Sequence, residues 1–257
     1  MVTVWTPLVH TLAYEWILAT KKWFLRRCAA DLSDRIKRSR DTMTTPWQRA
    51  LGHFESLFID HAVFRLAYFN LYRVSDGLFR SSQPSPSHVR RLAQRGIRTI
   101  VNLRGERKCA SYILEAEACR RHKVKLVNFP VRSRDVPSKE TLHAARQLFQ
   151  TIEYPALIHC KSGADRAGFM AALYLFIHEN QPVEQAVSQL SWKYGHFRHA
   201  KTGILDHFFD RYRTSDQRHG MTFFEWVEKV YCPDDVKRSF RSHRWASAVV
   251  DRMLARE

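Results

Sequence analysis

Apolar positions along the chain change period twice, dividing it into three stretches. Trp5, Leu8, Val9, Leu12 and Trp16 recur at helical spacing, as do Trp47, Leu51, Phe54, Phe58 and Ala62, so residues 1–67 predict a helical, amphipathic extension. The charged run from Asp31 to Asp41 separates its two helices, and Thr45 with Pro46 supplies a cap and first turn for the second. Between 68 and 213 short apolar runs alternate with helical patterns. Leu71 to Val74 reads as a strand and Ser75-Asp76-Gly77 as a turn. Ser85-Pro86-Ser87 opens a helix that Gly96 ends, and Ile97 to Leu103 follows as a buried strand broken by Gly105. A helix around 111–122, a strand from Val124 to Phe129, a loop at 131–137 and a helix over about 138–152 come next. Ala156-Leu157-Ile158-His159 is a short buried strand, followed by an apolar helix at 166–179 and helices near 182–194 and 201–212. Strands alternating with helices predict an α/β domain with a central, mostly parallel sheet flanked by helices on both faces. Residues 214–257 predict a helical C-terminal extension. Met221 to Tyr231 is aromatic-rich, and Pro233-Asp234-Asp235 restarts a helix with Val236, Phe240, Trp245, Val249 and Met253 on one face.

Composition narrows the reading. A hydrophobic share of 45% and an aromatic share of 12% over 257 residues argue against a disordered chain. Five scattered cysteines, Cys28, Cys109, Cys119, Cys160 and Cys232, form neither a CxxC pair nor a Cys/His zinc pattern. They fit a reducing compartment better than a disulfide scaffold. The formal net charge of +17 directs the surface toward anions: nucleic acid, an anionic membrane or a multiply phosphorylated substrate. Residues 2–20 are apolar but interrupted by Pro7, His10 and Glu15, with the basic cluster after rather than before them, so neither an export signal nor a spanning helix is expected. Met43 is a candidate alternative start.

The chemistry concentrates in His159-Cys160-Lys161-Ser162-Gly163-Ala164-Asp165-Arg166, between a buried strand and an apolar helix. A loop in that position turns backbone N–H groups toward one point, and the helix N-terminus adds partial positive charge. Lys161, Ser162, Gly163, Ala164, Asp165 and Arg166 would therefore line a phosphate site. Gly163 permits the turn, and the planar fork of Arg166 suits two phosphate oxygens. The same field favours the thiolate of Cys160, a nucleophile able to displace an alkoxide or phenoxide from phosphorus.

This segment resembles the HCxxGxxR signature of the protein-tyrosine and dual-specificity phosphatase superfamily. The resemblance extends over about residues 70–213. Leu78-Phe79-Arg80-Ser81-Ser82-Gln83-Pro84 and Thr99-Ile100-Val101-Asn102-Leu103-Arg104-Gly105-Glu106 look like segments of small atypical dual-specificity phosphatases. Gln189-Leu190-Ser191 and Tyr194-Gly195 look like bacterial relatives. It implies a protein-tyrosine-phosphatase-like sheet, phosphocysteine catalysis by Cys160 with Arg166, a loop-ordering His159, and no metal or cofactor. It also implies a proton-donating Asp upstream of the cysteine. Asp135, 25 residues before Cys160, is the only Asp between 77 and 159. Asp165 is the rival, as some bacterial and lipid-directed relatives carry Asp there; it could donate the proton, position water or pair with a cation. Most relatives place Ser or Thr after the Arg, where its hydroxyl helps the thiolate leave. Ala167 stands there instead, so slow phosphocysteine breakdown and burst kinetics are expected.

Substrate and place follow less directly. Lys161 with Arg132, Arg134, Lys193 and Arg198 would make the mouth cationic and suit a phosphoprotein, an anionic phospholipid or a lipid A-type sugar phosphate. The amphipathic stretches 1–27 and 236–256 fit peripheral contact with an anionic membrane, from the cytoplasmic side. Nucleic acid has no recognition motif in its favour. The alternatives are a catalytically weak, phosphate-binding adaptor at a membrane surface and a rhodanese-like sulfur transferase, against which the pairing of His159 with Arg166 speaks.

Overall fold

The computed structural model describes residues 69–241, apart from the side chains of 216–219. The helices expected over 1–67 and beyond 241, together with Cys28, lie outside the described residues. The chain forms two compact units, Met1–Phe64 with Arg107–Leu114 and Arg65–Glu106 with Glu115–Glu257. Of the first unit the described residues are 107–114, where Ala110, Ile113 and Leu114 form a small apolar cluster.

The second unit is built on a five-stranded sheet. Its strands are β1 (Tyr72–Arg73), β2 (Leu78–Ser81), β3 (Thr99–Asn102), β4 (Lys125–Asn128) and β5 (Ala156–His159), in the order β1-β2-β5-β3-β4. β2, β5, β3 and β4 run parallel, and the two-residue β1 pairs antiparallel with β2. All residues of β3 and β5 are buried, as continuous apolar runs in a covered parallel sheet require. β4 at the edge is half-exposed.

Side-chain alternation sorts the core onto two faces. Leu157 of β5 and Ile100 of β3 pack with Val89 and Leu92 of α1 (Pro86–Gln94) and with Ala118 and Cys119 of α2 (Ala110–Arg121). Ile158 and Val101, one residue on, point the other way, into the cluster built by α3 (Lys139–Thr151) and α4 (Asp165–Ile177). Ser85 caps α1 with Pro86 in its first turn, and Ser138 caps α3, as their residue types demand. α4 is buried from Ala167 through Leu175, and its apolar run on every side is that of a central helix. After the short α5 (Val183–Ala186), two 3-10 turns and a loop lead to α6 (Ile204–His219) and α7 (Phe223–Lys229).

The expected boundary at 213 needs correction, because it falls inside α6. Beyond it, Phe223, Trp226, Val227, Tyr231 and Val236 belong to the main core cluster. Trp226 and Tyr231 pack edge-on against Phe208 at 5.6 and 5.3 Å between ring centres. Burying rings of this size contributes about 1.5–3 kcal/mol each. The described part of the segment, 214–241, thus contributes to the same core as the sheet. Among the described residues, no helix is long and apolar enough to cross a membrane.

Candidate active site

β5 lies between β2 and β3, although the chain passes from β2 through α1 directly to β3. Such a crossover opens a crevice at the carboxyl ends of the strands, where ligands bind in open parallel sheets. The loop Cys160–Ala164 leaves β5 at that edge and runs into α4. Cys160 is buried, and the backbone N–H of Gly163 donates to its Sγ at 3.2 Å. Arg166 is half-buried, with Nη1 3.4 Å from the carbonyl of Leu103. Lys161 is exposed on the rim of the loop. Of the residues expected from 159 to 166, Gly163 meets the Cys160 sulfur directly, while Arg166 lies in the first turn of α4.

Two buried groups that the pattern of the chain does not single out hold this loop. The first is Arg80, the third residue of β2 and fully buried. Its guanidinium donates to the carbonyls of Gly163 (2.8 Å), Ala164 (2.9 Å) and Gln189 (2.6 Å), and to Gln189 Oε1 (3.0 Å). It also lies over the Tyr194 ring, 4.1 Å from its centre. Burial pulls the Arg80 pKa down to about 10, which leaves it charged at neutral pH. Because C=O and N–H point oppositely across a planar trans peptide, drawing the carbonyls of Gly163 and Ala164 inward turns the following N–H groups outward. Arg80 thus sets the direction in which the loop presents its donors, and its charge lies behind the sulfur.

The second group is Glu115, buried on α2. Its Oε1 lies 2.7 Å from His159 Nε2, a short contact without hydrogen-bond geometry. Its Oε2 accepts from Gln83 at 2.7 Å. Gln83 in turn accepts from Arg104 and sends its backbone N–H toward the carbonyl of Lys161 at 3.4 Å. His159 Nδ1 sits 3.3 Å from the carbonyl of Cys160. His159 thus stands in a network whose carboxylate lies 44 residues earlier in the chain.

The candidate acids occupy different settings. Asp135 lies on the loop after β4, which leaves the same sheet edge as Cys160; Val131 of that loop donates to the Leu103 carbonyl that Arg166 also approaches. Its carboxylate accepts from the backbone of Val136 at 2.9 Å and pairs with Lys237 at 3.0 Å and Arg132 at 3.4 Å. Lys237 is held above the ordinary ammonium value by this hydrogen bond. The pocket at Asp135 is walled by residues such as Pro130, Thr141, Pro233 and Lys237, with none of 159–166 among them. Asp165 opens α4 beside Arg166, and its Oδ1 is 2.7 Å from Nδ1 of His196. His196 Nε2 lies 2.6 Å from Asp206 Oδ2 on α6. Burial lowers the His196 pKa, but its hydrogen bonds to Asp165 and Asp206 outweigh it and raise the value to about 9.

Of the other cations expected at the mouth, Arg132 and Arg134 are exposed on the Asp135 loop, Lys193 lies over the rings of Tyr72 and Tyr194, and Arg198 pairs with Asp210. The segment 191–203 runs beside the phosphate loop, since Asn70 bridges the carbonyls of Ser162 and Tyr194 at 2.8 and 3.0 Å.

A model of the family described as "DSP-PTPase phosphatase fused to NAD+ Kinase" matches residues 73–204. The dual specificity protein phosphatase TpbA of Pseudomonas aeruginosa is 30% identical over 122 residues, 47% of this chain and 53% of the relative. The chain therefore spans about half the length of the curated relatives it matches. The crystal structure of P. aeruginosa TpbA covers 58% of this chain and 91% of its own, at 24% identity and a TM-score of 0.47. That of PTPMT1 in complex with PI(5)P covers 56% and 97%, at 20% identity and a TM-score of 0.41.

Proposed function

Because the chain belongs to the dual-specificity-type phosphatase family whose model matches it from 73 to 204, we propose that it is a cysteine-dependent phosphomonoester hydrolase. One observation carries this reading: a buried cysteine at the carboxyl end of the central strand, its sulfur met by the Gly163 N–H, with Arg166 in the first turn of α4. In the proposed mechanism Arg166 and the loop N–H groups hold the phosphoryl oxygens, and the Cys160 thiolate attacks phosphorus. The P–S bond forms, the P–O bond to the leaving group breaks, and the leaving oxygen takes a proton from Asp135. Asp135 is held by Lys237 and Arg132 in the structure, so in this reading Lys237 moves away before Asp135 meets the leaving group. Water then releases phosphate from the sulfur.

Phosphotyrosine-type phosphoprotein is the first substrate class. An anionic phospholipid is the second, favoured by one feature of the segment beside the loop. Trp192 is 81% exposed and Phe197 63%, the two most exposed large apolar side chains among the described residues. Lys193, Arg198, His199 and Lys201 stand among them, with no acidic residue from 191 to 203. Aromatic rings between cations suit the interface of an anionic bilayer. We infer from it a peripheral contact with an anionic membrane, on the inner face.

The test is turnover of an aryl phosphate, a phosphotyrosine peptide and an anionic phospholipid in vesicles by the wild type and Cys160→Ser. The expected result is turnover by the wild type and only background for Cys160→Ser. A Trp192→Ala/Phe197→Ala variant is expected to keep the aryl phosphate rate and to lose turnover on vesicles. Wild-type rates no higher than those of Cys160→Ser on every substrate would instead leave a phosphate-binding adaptor.

A further inference from the structure

Asp165, His196 and Asp206 form a line that the steps above leave unused. The His196 side chain is fully buried, and the Asp206 side chain is 6% exposed. The Asp165 side chain is 25% exposed, so the line has one open end, and that end lies in the phosphate loop. The two ring nitrogens face opposite ways, so the two carboxylates cannot converge on a single ion. Each short contact needs one proton between its partners. The line therefore holds two protons and one net negative charge, and the raised pKa of His196 places both protons on the ring at neutral pH. Asp165 also acts on the charge of Arg80, behind the loop.

Such an arrangement suits a base better than an acid. A ring nitrogen of His196 held against Oδ1 of Asp165 fixes the direction of the carboxylate's second oxygen. Meanwhile the position after Arg166, where a hydroxyl would assist the return of the thiolate, is the fully buried Ala167. The second half-reaction thus lacks the hydroxyl, and a held carboxylate stands one residue before the arginine.

We propose that His196, backed by Asp206, is a positioning residue that holds Asp165 as the base for hydrolysis of phosphocysteine. Water attacks the phosphorus on Cys160 and gives a proton to Asp165. The new O–P bond forms as the S–P bond breaks, and its electron pair returns to sulfur as the thiolate. Inorganic phosphate leaves, and Asp165 passes its proton to solvent. This inference rests on the phosphatase reading, and it gives the two candidate carboxylates separate steps: Asp135 to the first and Asp165 to the second.

Rapid mixing with an aryl phosphate separates the steps, because the burst reports transfer to sulfur and the steady state reports hydrolysis. For His196→Ala the burst rate is expected to match wild type while the steady-state rate falls on the order of 10²-fold, the size of a lost general base. Asp165→Asn, nearly isosteric and partly exposed, is expected to show the same split and covers the case in which His196→Ala does not fold. In both variants phosphoenzyme is expected to accumulate. A burst rate that falls in step with the steady state in Asp165→Asn would overturn the inference and make Asp165 the acid of the first step. An unchanged steady state would overturn it too. A wild type without turnover would overturn the phosphatase reading and this inference together, whereas normal wild-type turnover with no split in the variants would overturn this inference alone.

Discussion

Alanine at Gly163 is expected to remove nearly all turnover and to lower stability. The backbone there has φ +76°, and a Cβ would come within 2.6 Å of the Ser81 carbonyl carbon and the Ser82 nitrogen. Those are backbone atoms that cannot swing aside. Ser81 pairs with His159 in the sheet, and the Ser82 N–H donates to Phe69 at 3.0 Å. The loop must therefore move, carrying away the N–H that meets the Cys160 sulfur. A displacement of about 1 Å in a positioned group can cost about 10²-fold in rate, and left-handed backbone adds about 1–2 kcal/mol for a non-glycine residue. Gly96→Ala is the control. It shares a positive φ of 86° but has nothing within 4 Å of its Cβ, so it isolates the backbone cost from the collision. Aryl phosphate kinetics and thermal unfolding of the two variants are expected to differ by the collision alone: kcat/KM collapses for Gly163→Ala and stays near wild type for Gly96→Ala.

Methionine at Arg80 is expected to damage both the fold and the site. It fills the space of the side chain's stem but leaves four acceptors, on Gly163, Ala164 and Gln189, without their donor. An orphaned buried acceptor costs about 1–3 kcal/mol, and because these four share one donor their costs are not additive. A total of about 3–5 kcal/mol is expected, as for other broken buried charge networks. Arg80→Lys keeps the charge but loses the planar fork and the stacking on Tyr194, so it is expected to regain stability while kcat stays well below wild type. Denaturant unfolding and aryl phosphate kinetics on the pair check this. Full activity in Arg80→Met would mean that the loop holds its shape unaided.

The strength of these two expectations contrasts with how they read in the chain. The strand at 156–159 and the helix after it are legible because their apolar runs have no other use, and the loop between them is legible because its residues are contiguous. Arg80 is not, because an arginine in a strand is ordinarily exposed and its acceptors lie 83 to 109 residues away. Glu115 is one carboxylate among several on an amphipathic helix until His159 is folded against it. His196 and Asp206 look like a loop histidine and a helix aspartate; only the packing of α6 under the loop brings them to Asp165. Asp135 stands out as the sole Asp of its interval, whereas its pairing with Lys237 joins residues 102 apart in the chain. The aromatic run from Met221 reads equally as an added amphipathic helix or as core, and Phe208 and Tyr212 decide it for core.

Everything proposed for the site depends on phosphorus passing through one sulfur. Acid quenching during turnover of an aryl phosphate, followed by mass mapping of the protein, examines that step itself. The expected result is a phosphoryl group on the peptide holding Cys160, bound through sulfur, in amounts that rise in Asp165→Asn and vanish in Cys160→Ser. Turnover without any phosphoryl group on Cys160, or with one on another residue, would contradict it.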